Sequence, residues 1–232
     1  MPDTKSVPSG PGATSVAFSG YTWSVRSEFG GPGPNLFDAS NVWVDARGFL
    51  HLKISNANGV WTTAEVVSMR SLGFGTYQFQ LLGHPERMDG NVVLGLFNYT
   101  TPEIGPDGTN EIDIEFATWH ARQTDHGNWS VWPAVPGPPR ATHAFRAAVK
   151  AGSSTHRFIW HRTSVAFSAY SGLTNKTAEP YATWRYAPAD YAQLIPQSPM
   201  PIHLNLSLFG GQPPSDGNEV EIVVTSFTFT PG

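Results

Sequence analysis

Three carboxyl groups stand at alternate positions in Asn110-Glu111-Ile112-Asp113-Ile114-Glu115-Phe116, the stretch of this chain best equipped for chemistry. Successive side chains of a β-strand point to opposite faces, so Glu111, Asp113 and Glu115 share one face and Ile112, Ile114 and Phe116 the other. Same-face neighbours lie about 7 Å apart, and like charges at that spacing repel, which raises the pKa of at least one acid. A protonated carboxyl beside an ionised one suits acid catalysis, and splitting a glycosidic bond uses such a pair. Two other readings stay open. One is a half-buried strand with a solvated acidic face, although Thr, Lys or Gln would be more usual outside. The other is a hard-cation site, which needs about six or more oxygens, and no further acid cluster accompanies these three.

Short strands with turns between them are what must position these acids. The chain has 232 residues, the size of one all-β domain, with 40% hydrophobic and only 14% charged residues. It carries 23 Gly, 20 Pro, 14 Phe, 8 Trp and 7 Tyr, a composition of strands and turns. A net charge of −4 without a basic cluster argues against nucleic acid or an anionic membrane as partner. The absence of Cys removes disulfides, zinc thiolates and thiol catalysis. No His pair has zinc-ligand spacing and no Gly-x-Ser-x-Gly elbow occurs, so no metal ligand is assigned. Residues 1–15 read as a flexible lead-in rich in Pro, Gly and Ser, and residues 16–232 as a single domain.

Residues 42–45 and 50–54 flank Ala46-Arg47-Gly48 as a hairpin. Residues 61–68 read as one strand carrying Glu65, and 76–81 as the next. Residues 91–99 precede the acid strand as its hairpin partner, bringing Phe97 and Tyr99 beside it, either to stack on a sugar ring or as core aromatics. Residues 121–127 read as a polar turn. In 128–132, Trp132 shares a face with Asn128 and Ser130, and Trp129 with Val131, which puts Trp132 in a cleft and Trp129 in the core. Residues 133–142 read as loop, and 156–161 with 164–172 as a hairpin. Residues 173–200 read as a long loop with one helical turn, whose Trp184, Tyr186 or Tyr191 is placed to wall the cleft. In 201–209, Ile202, Leu204, Leu206 and Leu208 face the core, while His203, Asn205 and Ser207 face out, the first two as candidate substrate-binding residues. Residues 218–229 form a last strand whose Glu219 and Glu221 read as a solvated edge. The sequons at Asn98, Asn128, Asn175 and Asn205 read as chance, only the Asn175 loop suiting glycosylation. Regularly spaced strands without a convincing amphipathic helix argue for an all-β antiparallel sandwich.

At the acid strand the chain resembles glycoside hydrolase family 16, in the uninterrupted Glu-x-Asp-x-Glu form of lichenases and xyloglucan endotransglycosylases. The run from Glu65 through seven residues to Gly73-Phe74-Gly75 is similar to that family too, as is the hairpin at 42–54. Two departures stand out. Ser207 occupies the place of a cleft-lining Trp, and His156, with Ser171-Gly172 in place of Asp-Gly, matches only loosely and reads as structural. The resemblance implies a jelly roll of the concanavalin A-like kind and a retaining endo-glycosidase acting on β-1,3-1,4- or β-1,3-glucan. In it Glu111 would be the nucleophile, Glu115 the acid/base and Asp113 the residue tuning both. It also implies that Glu65 binds sugar hydroxyls. Glu-Ile-Asp-Ile-Glu reads the same in both directions, so which Glu attacks rests on the resemblance alone. A transglycosylase of the same family is an alternative, and so is a lectin-like carbohydrate-binding protein on the same sandwich, although the latter needs no acid triplet. No cofactor is expected for catalysis. Some relatives hold a structural Ca²⁺ on the convex side, for which no ligands can be picked out here. A polysaccharide partner, a monomer, and a secreted or periplasmic location complete the expectation, the last only because polysaccharides lie outside the cell.

Overall fold

The computed structural model describes residues 9–119, 125–150, 152–174 and 179–232. The first strands are β1 (Ser15–Phe18), β2 (Tyr21–Val25), β3 (Phe29–Gly30), β4 (Asn35–Leu36), β5 (Val42–Val44) and β6 (Leu50–Ala57). They are followed by β7 (Val60–Thr62), β8 (Ala64–Ser68), β9 (Gly75–Leu82), β10 (Val92–Asn98), β11 (Ile112–Phe116) and β12 (Gly127–Val131). The last are β13 (Ala141–Phe145), β14 (Ser153–His161), β15 (Ser164–Ser171), β16 (Ala182–Tyr186), β17 (Ile202–Leu208) and β18 (Val220–Pro231), with one helical turn, α1 (Tyr191–Leu194), before β17.

Two antiparallel sheets pack face to face, the expected jelly-roll sandwich. The first runs β1-β2-β8-β17-β10-β11-β12-β13, and the second β16-β15-β14-β9-β18-β6-β5 with β7 on β6. Alternation explains the layering, since each central strand sends every second side chain inward. Ile112, Ile114 and Phe116 of β11 are fully buried, as are Leu94 and Leu96 of β10 and Leu204 and Leu206 of β17. Each such side chain contributes roughly 1.5–3 kcal/mol relative to exposure. Aromatic rings fill the space between the sheets, with Trp129 stacked on Phe145 at 4.1 Å and Tyr77 on Phe158 at 4.4 Å. His156 is structural, as expected: it is buried, its Nε2 meets the Ser154 hydroxyl at 2.9 Å, and burial pushes its pKa down to about 3.

Several local expectations need correction. Residues 61–68 do not form one strand, because β7 pairs with β6 in the second sheet while β8 joins the first. The chain crosses between sheets at Thr63, held by Thr63 N–H to Leu36 O (2.8 Å) and Asp38 N–H to Thr63 O (3.0 Å), with no Gly or Pro to mark the break. Residues 141–142 and 182–186, read as loop, belong to strands, β13 and β16. Each ends a sheet and leaves much of its surface to solvent, so neither shows a strong hydrophobic period. Glu219 and Glu221 are not at an edge, since β18 lies between β9 and β6, and they pair with Lys53 (2.6 Å) and His51 (2.7 Å). Within the expected lead-in, Ser9 already bonds to Val44. Asn98, Asn128 and Asn205 are buried and unsuited to glycosylation, whereas Asn175 and most of the turn expected at 121–127 lie outside the described residues.

Candidate active site

The outward face of the first sheet forms the floor of a cleft of about 1160 Å³, and strand register sets which side chains meet there. One row across the sheet reads Glu65 (β8), Asn205 (β17), Gly95 (β10), Glu115 (β11), Asn128 (β12). The next reads Val67, His203, Phe97, Asp113, Ser130. Glu111 stands one residue before β11, its carbonyl accepting the Trp132 N–H at 2.9 Å, so Trp132 continues β12 beside it. Gly95 is needed for close approach: a Cβ there would lie 2.7 Å from Asn205 Oδ1 and 3.0 Å from the Phe97 ring. A larger residue would therefore crowd the floor in front of Glu115.

Asp113 is buried and Glu111 and Glu115 half-buried beside it, with no bonded cation among the described residues. Burial pushes Glu111 up to about 7, and the charge of Glu115 acts the same way, while a hydrogen bond with Asp113 and the charge of Arg140 oppose it. Asp113 is raised well above the carboxylate range by burial, then by the charges of Glu111 and Glu115. Burial also raises Glu115, against a bond from Asn128 and the charge of Arg140. The Asp113–Glu111 hydrogen bond raises Asp113 and lowers Glu111, and two carboxyl groups can share such a bond only with a proton between them. The other Asp113 contact is fixed by Trp132, whose Nε1–H donates to Oδ2 at 2.9 Å. Asn128 Nδ2 donates to Glu115 Oε2 at 3.3 Å and to Ser130 Oγ at 3.0 Å. These contacts differ at the two ends of a palindromic sequence.

At the other side of the cleft Glu65 is buried and fully partnered. Arg26 Nη1–H donates to its Oε2 at 2.8 Å, and His203 Nδ1 meets its Oε1 at 2.7 Å. With a carboxylate opposite, Nδ1 carries the hydrogen and donates. The His203 ring stacks on Phe97 (5.1 Å, 25°), and Tyr99 meets Phe97 edge-on at 6.1 Å while its hydroxyl donates to Asp107 at 3.1 Å. Arg26 also binds Glu28 (2.9 Å) and the Gly31 carbonyl (2.7 Å) and lies over Phe37 at 4.2 Å.

All nine residues picked from the sequence line or border this cleft: Glu111, Asp113, Glu115, Glu65, Phe97, Tyr99, Trp132, His203 and Asn205. Trp184, Tyr186 and Tyr191 do not wall it. Trp184 packs instead on Phe167 and His143 where the edges of the two sheets meet. Arg26, Asp107, Trp119, Arg140 and Phe209 line the cleft but were not picked out. Alternation from the inward Trp23 and Val25 puts Arg26 on the outward face, a signal present in the sequence. Arg140 had only the register that pairs Val131 with Ala141, which sets it opposite Trp132.

No protein-family model matches the chain, and no curated protein matches its sequence. Solved structures do. A prokaryotic β-1,3-1,4-glucanase (lichenase) from a mouse hindgut metagenome superposes with a TM-score of 0.67 at 19% identity, covering 98% of this chain and 100% of that one. The β-glucanase of Bacillus licheniformis gives 0.66 at 20% identity, with 98% and 99% covered. A glycoside hydrolase family 16 protein of Bacteroides ovatus, solved with a mixed-linkage glucan product, gives 0.67 at 13% identity, with 90% and 94% covered. The chain has their fold. It is the fold implied by the acid strand's resemblance, reached now from backbone geometry rather than from a motif.

Proposed function

We propose that this protein is an endo-acting, retaining glycoside hydrolase that cleaves β-1,3-1,4- or β-1,3-glucan. The observation that carries the proposal is the row Glu111, Asp113, Glu115 on the cleft floor, three carboxyl groups whose pKa values are all raised, chiefly by burial. A cleft running across the sheet, from Arg26 and Gly31 to Trp132 and Arg140, suits binding along the middle of a polysaccharide. Phe97, Tyr99 and Trp132 offer apolar faces to sugar rings. The named substrates of the lichenase-like neighbours support the choice of glucan.

The contacts at the two ends of the triplet differ, and they support Glu111 as the nucleophile. In this reading the proton between Asp113 and Glu111 rests on Asp113, which favours ionised Glu111, as a nucleophile requires. Glu111 attacks the anomeric carbon while Glu115, raised by burial, delivers its proton to the leaving glycosidic oxygen. The resulting glycosyl ester on Glu111 is then opened by water, from which Glu115 takes a proton. The two inversions restore the starting configuration. Carboxyl groups about 5 to 5.5 Å apart are needed for this, whereas Cα atoms four apart on a flat strand are about 13 Å apart, so both Glu side chains must lean inward over Asp113. The N–H groups of Trp132 and Asn128 point at the carboxyl oxygens, an arrangement that suits protons rather than a cation, so the acids work without a metal ion.

The test is reducing-sugar release from laminarin, mixed-linkage β-glucan, xyloglucan and galactans, with the first-formed anomer read by ¹H NMR. Release from the first two with initial β-anomer supports the proposal. Activity confined to galactans or xyloglucan, or an initial α-anomer, rejects it.

A further inference from the structure

Arg140 lines the cleft and, among the described residues, has no hydrogen-bond or ion-pair partner. Arg26, the other cleft arginine, is by contrast bound by Glu65, Glu28 and the Gly31 carbonyl. The Arg140 guanidinium lies over the Trp132 ring at 4.5 Å, and that indole donates its Nε1–H to Asp113 at 2.9 Å. Local sequence makes the arrangement firm. Pro138 and Pro139 restrict the backbone on one side, and on the other Ala141 pairs with Val131, so Arg140 and Trp132 face each other as a cross-strand pair just beyond the ladder. The cation rests on one face of the indole while the indole edge reaches the central acid.

We propose that Arg140 is a positioning residue of the acid site, seating Trp132 against Asp113 and setting a positive charge beside Glu111 and Glu115. Its charge lowers both acids, which burial otherwise raises. The groups around them are Asp113 on β11, Tyr99 and Asp107 from the segment after β10, and His203 on β17. The neighbouring positions of β12, Asn128 and Ser130, do not titrate. The role in turnover rests on the glycosidase reading, whereas the electrostatic arrangement does not.

The deciding variants are Arg140→Met, which keeps a flexible apolar body over Trp132 without charge, and Arg140→Lys, which keeps the charge. Carboxyl titration by ¹³C NMR, with no substrate present, should show Glu111 and Glu115 both moving up by about half a pH unit in Arg140→Met and returning toward wild type in Arg140→Lys. In kinetics, both limbs of the kcat/KM profile should move to higher pH together with KM within twofold. Unmoved carboxyl titrations would overturn the proposal, as would a raised KM with fixed pH limbs, which marks a sugar contact instead. Should wild-type protein hydrolyse no glycan while the titrations move as stated, the glycosidase reading fails and the electrostatic role of Arg140 stands.

Discussion

The cleft floor holds two acid sites on one sheet, each centred on a buried carboxyl group, Glu65 or Asp113, and they are built in opposite ways. Glu65 has a cationic or hydrogen-donating partner on each oxygen, Arg26 at 2.8 Å and His203 at 2.7 Å. Glu111, Asp113 and Glu115 have no bonded cation among the described residues; the charges of Glu111 and Glu115 raise Asp113, and that of Glu115 raises Glu111. A carboxylate held from both sides is fixed in place, fit to orient a ligand or to hold up its neighbours. Acids that must share protons are poised to move them. Burial is common to both sites, so burial alone does not mark a reactive acid; the partners do.

The largest expected effect tests that division. Glu111→Ala should cut turnover by about 10⁴-fold or more, and Glu115→Ala by about 10²–10⁴-fold on substrates whose leaving group needs a proton. Added azide should enter the space left by Glu111 and give an α-glycosyl azide from a β-linked substrate. With Glu115→Ala the covalent intermediate still forms from activated substrates, and azide should give the β-product. The reverse pairing would exchange the two roles. Glu65→Ala should cost about tenfold in kcat/KM through lost orientation, and a loss as deep as that of Glu111→Ala would erase the distinction between the sites.

Stability should change in opposite directions at the two sites. The folded-state pKa of Glu111, about 7, lies above its ordinary value of 4.5, so ionisation favours unfolding. That cost is absent below pH 4.5, grows between 4.5 and 7, and is complete above. Glu111→Gln should therefore stabilise at pH 8 by up to roughly 3 kcal/mol, less to the extent that the side chain is open to the cleft, and by nothing at pH 4. Glu65→Gln leaves Arg26 without its carboxylate and should destabilise by about 1–3 kcal/mol. Chemical denaturation at the two pH values measures both, and a Glu111→Gln protein no more stable at pH 8 would mean that the site carries no such repulsion.

Which of this could be read from the sequence depended on whether the determinant was local. Strict alternation at 112–116 and 202–208 placed the inward and outward faces correctly, because period 2 is a property of the strand itself. Phe97 fell beside Asp113 because a hairpin sets its own register. The Arg26 partner of Glu65 was out of reach, since it lies 39 positions away and only the pairing of β2 with β8, which sets Val25 opposite Val66 and so Arg26 opposite Glu65, brings the two together. The crossing at Thr63 carries no turn residue, and strands 141–145 and 182–186 lie at sheet edges where one period is not enforced by burial. The palindrome of the acid strand is broken by contacts that alternation does not set, Asp113 with Glu111 within the stretch and Asn128 of β12 with Glu115.

Within the acid row, Asp113→Asn sharpens the account of proton sharing. The amide keeps an acceptor for Trp132 Nε1–H but holds no transferable proton for Glu111. The expected outcome is a kcat loss of about tenfold with the profile limbs displaced, read from pH–rate curves. An unchanged profile would leave Asp113 as a spacer.

The smallest effect tests whether the two sites are independent. His203 touches both neighbourhoods: its Nδ1–H reaches Glu65, its ring stacks on Phe97, and Phe97 stands opposite Asp113 across β10 and β11. His203→Phe keeps a ring for the stack and removes only the donor to Glu65 Oε1. Arg26 still holds Oε2, so Glu65 loses one of two anchors and should tilt rather than leave its place. A tilted Glu65 misplaces whatever sugar hydroxyls it meets, while the acids on β11 keep their contacts with Trp132 and Asn128. KM should therefore rise about fivefold, equivalent to roughly 1 kcal/mol, with kcat within twofold and the pH limbs fixed. Phe97 is the only side chain between His203 and Asp113 in that row, so a displaced limb or a tenfold fall in kcat would show that it transmits the change. The fixed acid and the proton-sharing acids would then form a single coupled site, and the contrast between them would have to be abandoned.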